Sequence, residues 1–444
     1  MRPGKQLLIL LAACTAISVI PVAIRLFLPG FNVTLLSGIW WTLLSLIFCA
    51  ALLDYIISRK DLEKIQCERT TPGSLALGVN NIINLIVKND LLRPVHLTIT
   101  DQYPDQVDAF NIPRPLVLGA SSKADIEYSV KPVKRGDAHF GFICIRLLSR
   151  LNLWQFNIKR GASDSVKVYP NFRSITQFKT LGLNQHIGQM GIHVKQRRGQ
   201  GLNFHQLREF REGDSINQID WNATARFQKP IAREYQDEKD QDVIFLLDCG
   251  RRMYAHDGQL SHFDHVLNAF LLTSHVALRQ GDAVGLMTFA GTERWVSPIK
   301  GQHSINTLLN QVYDLHSSTD TSDFSQAAQR LINTHRKRSL VVILTNLHEE
   351  DSDDIKAGIK LISSKHLVIV ANLREKFLDE NIKKEVHSFE SALNYSGTLS
   401  FIIKRNQLLG VLRKQGVFIA DSVPHLLHIN LINEYLALKR RGQI

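Results

Sequence analysis

The chain is poor in the residues that mark specialised protein classes. Five cysteines in 444 residues do not make a disulfide scaffold. Thirteen prolines and 26 glycines exclude collagen-like and low-complexity architecture. Gly-x-Ser-x-Gly, His-Glu-x-x-His and the Walker nucleotide motif are all missing, so the commonest hydrolase, zinc-protease and nucleotide signatures do not apply. A hydrophobic share of 44% with 21% charged residues excludes a wholly disordered chain and is too polar for a polytopic membrane protein. The net charge of +12 allows contact with nucleic acid or anionic lipid. Around 207–226, however, acidic and basic residues alternate, whereas a nucleic-acid stripe is one-signed with exposed aromatics. No nucleic-acid partner and no small-molecule substrate are expected.

Long hydrophobic runs occur only near the start. Leu7–Leu28 and Val33–Ile57 can each cross a hydrocarbon core of about 30 Å, and Leu28-Pro29-Gly30-Phe31-Asn32 between them reads as a turn. The first run is too long for a signal peptide and lacks a cleavage site, so a retained helical hairpin over 1–60 is expected. Arg2 and Lys5 precede it and Arg59, Lys60 and Lys64 follow it, which places both termini and the remainder in the cytoplasm.

The remaining length suits two domains. From 61 to 170, short alternating runs separated by turn residues predict a small β-sandwich: 75–79, 83–87, 95–99, 126–130, 142–146 and 166–169. Arg135-Gly136-Asp137 reads as a hairpin turn rather than an adhesion tripeptide. Residues 171–240 form a charged connecting segment. Its Gly199-Gln200-Gly201 lacks the strand–helix context of a phosphate cradle. From 241 to 444, near-continuous apolar strands alternate with helices, which predicts a mainly parallel sheet covered on both faces. The strand 243–247 ends at Asp248, and others end at Asn346 and Asn372. Ligands of such sheets sit at these carboxyl ends.

Two further clusters invite chemical readings. Cys249 lies beside Arg251 and Arg252, but a Cys-x5-Arg loop would need arginine where Ala255 stands. His262 and His265 share a helix face without a third ligand, and a surface helix cap is the expectation.

Leu247-Asp248-Cys249-Gly250-Arg251-Arg252-Met253, closing the first strand of an α/β domain, resembles a von Willebrand factor A domain with a Rossmann-like sheet. Residues 208–226, then 233–238, resemble more specifically the bacterial membrane family called domain of unknown function 58. Val168-Tyr169-Pro170, Lys134-Arg135-Gly136 and 431–439 fit it as well. The resemblance implies a membrane hairpin, a β-sandwich and a cytoplasmic A-type domain in the bacterial inner membrane. It also implies partnership with MoxR-type AAA+ ATPases in chaperone-like or assembly work. A-type domains often hold Mg²⁺ through Asp-x-Ser-x-Ser, a later Thr and a second Asp. Here Asp248 matches the first position, Gly250 and Arg252 replace the serines, Thr321 or Ser322 could supply the hydroxyl, and Asn346 stands for the second Asp. No cofactor is therefore expected, with residual Mg²⁺ binding as the alternative. Asp248, Arg251, Arg252, Thr321, Ser322 and Asn346 are the expected partner-binding face. Arg252 would stand in the cation position and receive a partner carboxylate. The expectation is a non-enzymatic adaptor, and the alternative is a hydrolase using a residual metal or Cys249.

Overall fold

The computed structural model describes residues 1–27, 34–171, 203–211, 214, 216–236 and 241–443. The chain divides into two compact units, Met1–Val168 and Tyr169–Ile444.

The first unit opens with helix α1 (Lys5–Phe27) and helix α2 (Thr34–Asp61). Leu7 packs with Ala51, and the Trp40 Nε1–H donates to Cys14 O at 3.0 Å, so the two helices run antiparallel. Among the described residues one stretch, Gly38–Lys64, is long and apolar enough to cross a membrane. The expected turn at 28–32 lies outside the described residues.

The rest of this unit is sandwich-like antiparallel sheet. A five-stranded sheet has the order Arg2–Pro3, Trp154–Arg160, Ile143–Leu148, Val95–Asp101, Arg114–Leu118. A four-stranded sheet has the order Ile65–Thr70, Asn81–Asn89, Ser122–Pro132, Val107–Phe110. Three shorter strands, Ser74–Ala76, Asp164–Tyr169 and Gly136–Phe140, form a third sheet. The two-residue periodicity selects the buried faces: Ile83, Leu85 and Val87 in one sheet, and Val95, Leu97 and Ile99 in another. Arg135-Gly136-Asp137 is not a hairpin turn. Gly136–Phe140 is a strand paired with Asp164–Val168, and Arg135 is buried. Gly136, at φ 107°, takes the bend that begins it.

The second unit centres on a six-stranded sheet in the order Trp295–Ile299, Ala283–Phe289, Asp242–Asp248, Leu340–Thr345, Leu367–Leu373, Phe418–Ser422. Counted along the chain the order is 3-2-1-4-5-6. All pairs are parallel except the edge strand Trp295–Ile299. Helices His262–Arg279, Ser304–Val312 and Leu427–Arg440 bury their apolar faces on one side, around Phe245, Leu247 and Val342. Helices Phe324–Thr334, Ser352–Ser363 and Phe389–Lys414 cover the other, around Ile244, Leu246 and Ile343. Burial on both faces explains the unbroken apolar strands.

Within 171–240, expected as a charged connecting segment, the described residues include a hairpin of this unit. Asn203–Glu209 pairs antiparallel with Ile231–Gln236 around helix Trp221–Phe227. The alternating charges are satisfied locally: Arg208 with Asp214 at 2.7 Å and Arg233 with Asp220 at 2.8 Å. Residues 199–201 lie outside the described residues.

Candidate functional site

The order of the parallel sheet reverses between Asp242–Asp248 and Leu340–Thr345, because the chain leaves the first strand to one side and returns on the other. In open α/β sheets such a reversal is where a crevice forms at the strands' carboxyl ends. Asp248 sits at its base and is 1% exposed. Its carboxylate accepts from Ser322 Oγ at 2.6 Å and the Gly250 N–H at 2.8 Å through Oδ1, and from Thr345 Oγ1 at 2.7 Å through Oδ2. Burial is the largest influence and pushes its pKa up; the three donors and Arg252 act against it. Gly250 makes this geometry possible. A Cβ there would lie 2.4 Å from Ser322 Oγ and 3.0 Å from both Asp248 Oδ1 and Asp320 O. The hydroxyl that a serine at 250 would bring comes instead from Ser322, on the loop before helix Phe324–Thr334.

The two arginines do not pair with Asp248 through hydrogen bonds. Arg252 binds Glu350 Oε2 at 3.0 Å and also meets Asp351, both on the short turn preceding helix Ser352–Ser363. Arg251, with 56% of its side chain exposed, lies 3.6 Å from Glu350. The guanidinium expected to receive a partner carboxylate is thus already occupied by two carboxylates of its own chain. Burial lowers the Arg252 pKa, against the raising effect of Glu350. Thr321 is exposed and lines a separate cleft of about 160 Å³ with Phe289, Gly291, Glu293 and Arg330. Of the six expected residues, Asp248 and Ser322 touch directly, Arg251 and Arg252 share Glu350, and Thr321 faces elsewhere.

Asn346, the sixth, is buried and donates to Glu375 Oε1 at 3.2 Å. Glu375 is held below the ordinary carboxylate range, first by His348 and also by Asn346, against its burial. The row continues across the sheet: Asn372 accepts from the Leu347 N–H at 2.8 Å and donates to Asp421 at 3.0 Å, and Asp421 is ion-paired with buried Arg405. Thr345, Glu350, Asp351 and Glu375 were not singled out by sequence reasoning. A hydroxyl at a strand terminus and the acidic run 349–351 were the available signals.

A resident Mg²⁺ does not fit these residues. Octahedral Mg²⁺ favours carboxylate oxygens and keeps several waters. The pocket at Asp248 offers one carboxylate, already bonded by three donors, with the Arg252 charge close by. Among the described residues no cluster of three or more His, Cys, Asp or Glu is arranged for a metal ion. Cys249 is fully buried, so a substrate would have to displace the surrounding packing to reach the sulfur. The histidine pair is not a surface cap. Ser261 caps helix His262–Arg279 in a reciprocal box with Asp264, while His262 is buried and His265 half-buried. Burial lowers both imidazole pKa values, that of His265 to about 4.

Residues 206–395 match the family model described as "Protein of unknown function DUF58". No curated protein matches the sequence. Similar solved structures include a FixG-related protein from Vibrio parahaemolyticus, at 10% identity over 24% of this chain and 96% of that one, with a TM-score of 0.18. The cupredoxin domain of amoB from Nitrosocaldus yellowstonii matches at 10% identity over 20% of this chain and 55% of that one, with a TM-score of 0.15. A CARDB domain from Pyrococcus furiosus, solved with di-metal ions, matches at 13% identity over 23% of this chain and 86% of that one, with a TM-score of 0.16. At these scores the likenesses carry no argument about fold or function.

Proposed function

We propose that the protein is a membrane-anchored adaptor whose second unit, a von Willebrand factor A-like domain, recognises a cytoplasmic protein partner. The family resemblance points to a MoxR-type AAA+ ATPase as that partner, in chaperone-like or assembly work. The match of residues 206–395 and the doubly covered parallel sheet support this reading. We place the helices in the bacterial inner membrane with both units in the cytoplasm, because basic residues flank the apolar runs on that side.

One observation carries the adaptor reading. The polar base of the crevice is occupied by its own bonds, while its rim is exposed and mixed in character: Arg251, Glu350 (74% exposed side chain) and the 63% exposed Tyr254. An aromatic beside paired charges suits protein recognition. The test is recovery of the full-length protein from native membranes in Mg²⁺/ATP and in EDTA, beside an Arg251→Glu/Tyr254→Ala variant. The expected outcome is an AAA+ ATPase with the wild type in both buffers and its loss in the folded variant. Equal recovery by the variant would remove this face, and recovery of no AAA+ protein at all would remove the adaptor reading.

A further inference from the structure

We propose that the sandwich of the first unit rests directly on the phospholipid surface through two leucine-tipped loops flanking the exit of α2. This rests on the reading of α2 as a membrane span. The apolar, exposed face of α2 ends at Ile57. Asp61 lies four residues further on, about 6 Å along the helix, within the depth of a headgroup layer. At this level the helix is bound to the sandwich. Arg93 meets Asp61 at 2.9 Å and Arg150 meets it at 3.0 Å. Lower down, the Leu151 N–H donates to Asp54 at 3.1 Å, and the Trp154 Nε1–H donates to Ala51 O at 2.7 Å. The loop carrying Leu151 therefore reaches about 4.5 Å below Ile57, into the apolar stretch, and the Trp154 side chain that follows it reaches further, to Ala51.

Each arginine neighbours an apolar side chain turned outward: Leu92 is 93% exposed and Leu151 is 55% exposed. A single exposed leucine is ordinary in water; two of them, each beside an arginine that holds the exit of a membrane span, lie where a bilayer boundary would receive them. Three other features occupy the same level. Tyr55 stacks on Phe156 at 5.9 Å and meets Trp154 edge-on, as in an interfacial aromatic belt. The Gly4 N–H donates to Leu153 O at 2.7 Å, which brings the start of α1, with Arg2 and Lys5, to the same loop. An apolar cleft of about 660 Å³ lined by Leu7, Leu11, Phe48, Leu52 and Tyr55 is also lined by Trp154, so a sandwich residue shares the surface that the span presents.

The test places the photo-crosslinker p-benzoylphenylalanine, in turn, at Leu92, Leu151, Leu46 and Ile82 of the full-length protein. The protein is reconstituted in phosphatidylethanolamine/phosphatidylglycerol vesicles carrying radiolabelled phospholipid. Leu46 is an exposed position in the span, and Ile82 is exposed at the opposite end of its strand, about 23 Å from Asn89. Label is expected at Leu92 and Leu151 at a level comparable with Leu46, and not at Ile82. Label at Leu46 with none at either loop, or at only one, overturns the seating while leaving the anchor intact. Equal label at Ile82 overturns it as well. No label at Leu46 removes the membrane reading and this inference with it.

Discussion

Each unit buries a carboxylate at a strand end, and the two are neutralised differently. Asp101, in the first, ends a sandwich strand and faces a guanidinium: Arg69 Nη1 lies 2.7 Å away with its side chain 1% exposed, and the Tyr128 hydroxyl donates to the second oxygen. Arg69 also binds Asp164 at 2.9 Å and the carbonyls of Gly141 and Ala162, and it lies over the Phe140 ring. One side chain thereby links strands of all three sheets. Asp248, in the second unit, has no such partner; two hydroxyls and one backbone N–H hold it. Burial raises both pKa values, with hydrogen bonds opposing it in each case. The ion pair fixes how layers join. The hydroxyl cage fixes one side chain and leaves the surrounding charges to the rim.

The largest effect should therefore fall in the sandwich. Arg69→Met leaves Asp101 buried without its cation and should cost about 3–5 kcal/mol, the usual result of breaking a buried pair from one side. Chemical denaturation of the full-length protein, followed through hydrogen exchange of the peptides spanning 95–101 and 122–132, would measure it. Adding Asp101→Leu should return much of the loss. If the double variant is no better than the single, the ion pair is not what organises this unit.

At Asp248 the expected cost is smaller, about 1–3 kcal/mol for Asp248→Asn, because the amide keeps one oxygen for Ser322 and the Gly250 N–H but replaces the oxygen that accepts from Thr345 with an NH2 group, so that hydroxyl must turn to accept. Gly250→Ser should cost a similar 1–3 kcal/mol through overpacking against Ser322 and the Asp320 carbonyl, although it restores a residue type of the metal motif. Denaturant midpoints of the second unit measure both. A stabilised Gly250→Ser protein would show that the Ser322–Asp248 bond is dispensable.

The two units also differed in how much of them could be read from sequence. Helix His262–Arg279 and strand Leu340–Thr345 follow directly from apolar periodicity, because buried parallel strands and amphipathic helices leave clear patterns. Edge strand Trp295–Ile299, with Pro298 in it, leaves none. In the sandwich, Arg114–Leu118 and Trp154–Arg160 are partly exposed strands with weak alternation. The α2 polar stripe Asp54, Ser58, Asp61 interrupts the apolar pattern near the end of the helix, and all three are buried against the sandwich, which only the fold reveals. At the site, Asp248 was legible from its place at a strand end. The pairing of Arg252 with Glu350 and Asp351 joins residues about a hundred positions apart, and only the fold reveals it.

Acid should separate the units further. Burial lowers the pKa values of His262, His265, His366 and His428, all in the second unit. A depressed folded pKa means that the unfolded chain binds the proton first. The stability these imidazoles contribute is thus complete above pH 6.5 and, for His265, is lost as pH falls toward about 4. Asp101 has the opposite sign. Its raised folded pKa makes its contribution fullest below 3.8, and that contribution declines as pH rises through the raised value. Between pH 6.5 and 4 the second unit should lose exchange protection, normalised for intrinsic rate, before the first does. His265→Gln should flatten part of that loss. Parallel loss in both units would show that the buried histidines do not govern it.

The smallest effect on stability should come at the rim, and there it sharpens the comparison most. Arg251 is more than half exposed and its contact with Glu350, at 3.6 Å, is long and solvated. Such a surface pair contributes about 0–1 kcal/mol, so Arg251→Glu should shift the denaturation midpoint little. Reversing the neighbouring Arg252 is a different experiment: its side chain is 13% exposed and sits against both Glu350 and Asp351, so a glutamate there would gather three acidic groups. Arg252→Glu should therefore destabilise the turn at 349–351, and a binding loss in it would confound fold with recognition. If Arg251→Glu abolishes partner capture while the midpoint stays within about 0.5 kcal/mol of wild type, the rim recognises and the Asp248 cage only supports it. If capture survives Arg251→Glu but is lost in Asp248→Asn, the order is reversed and the buried carboxylate itself is sensed by the partner.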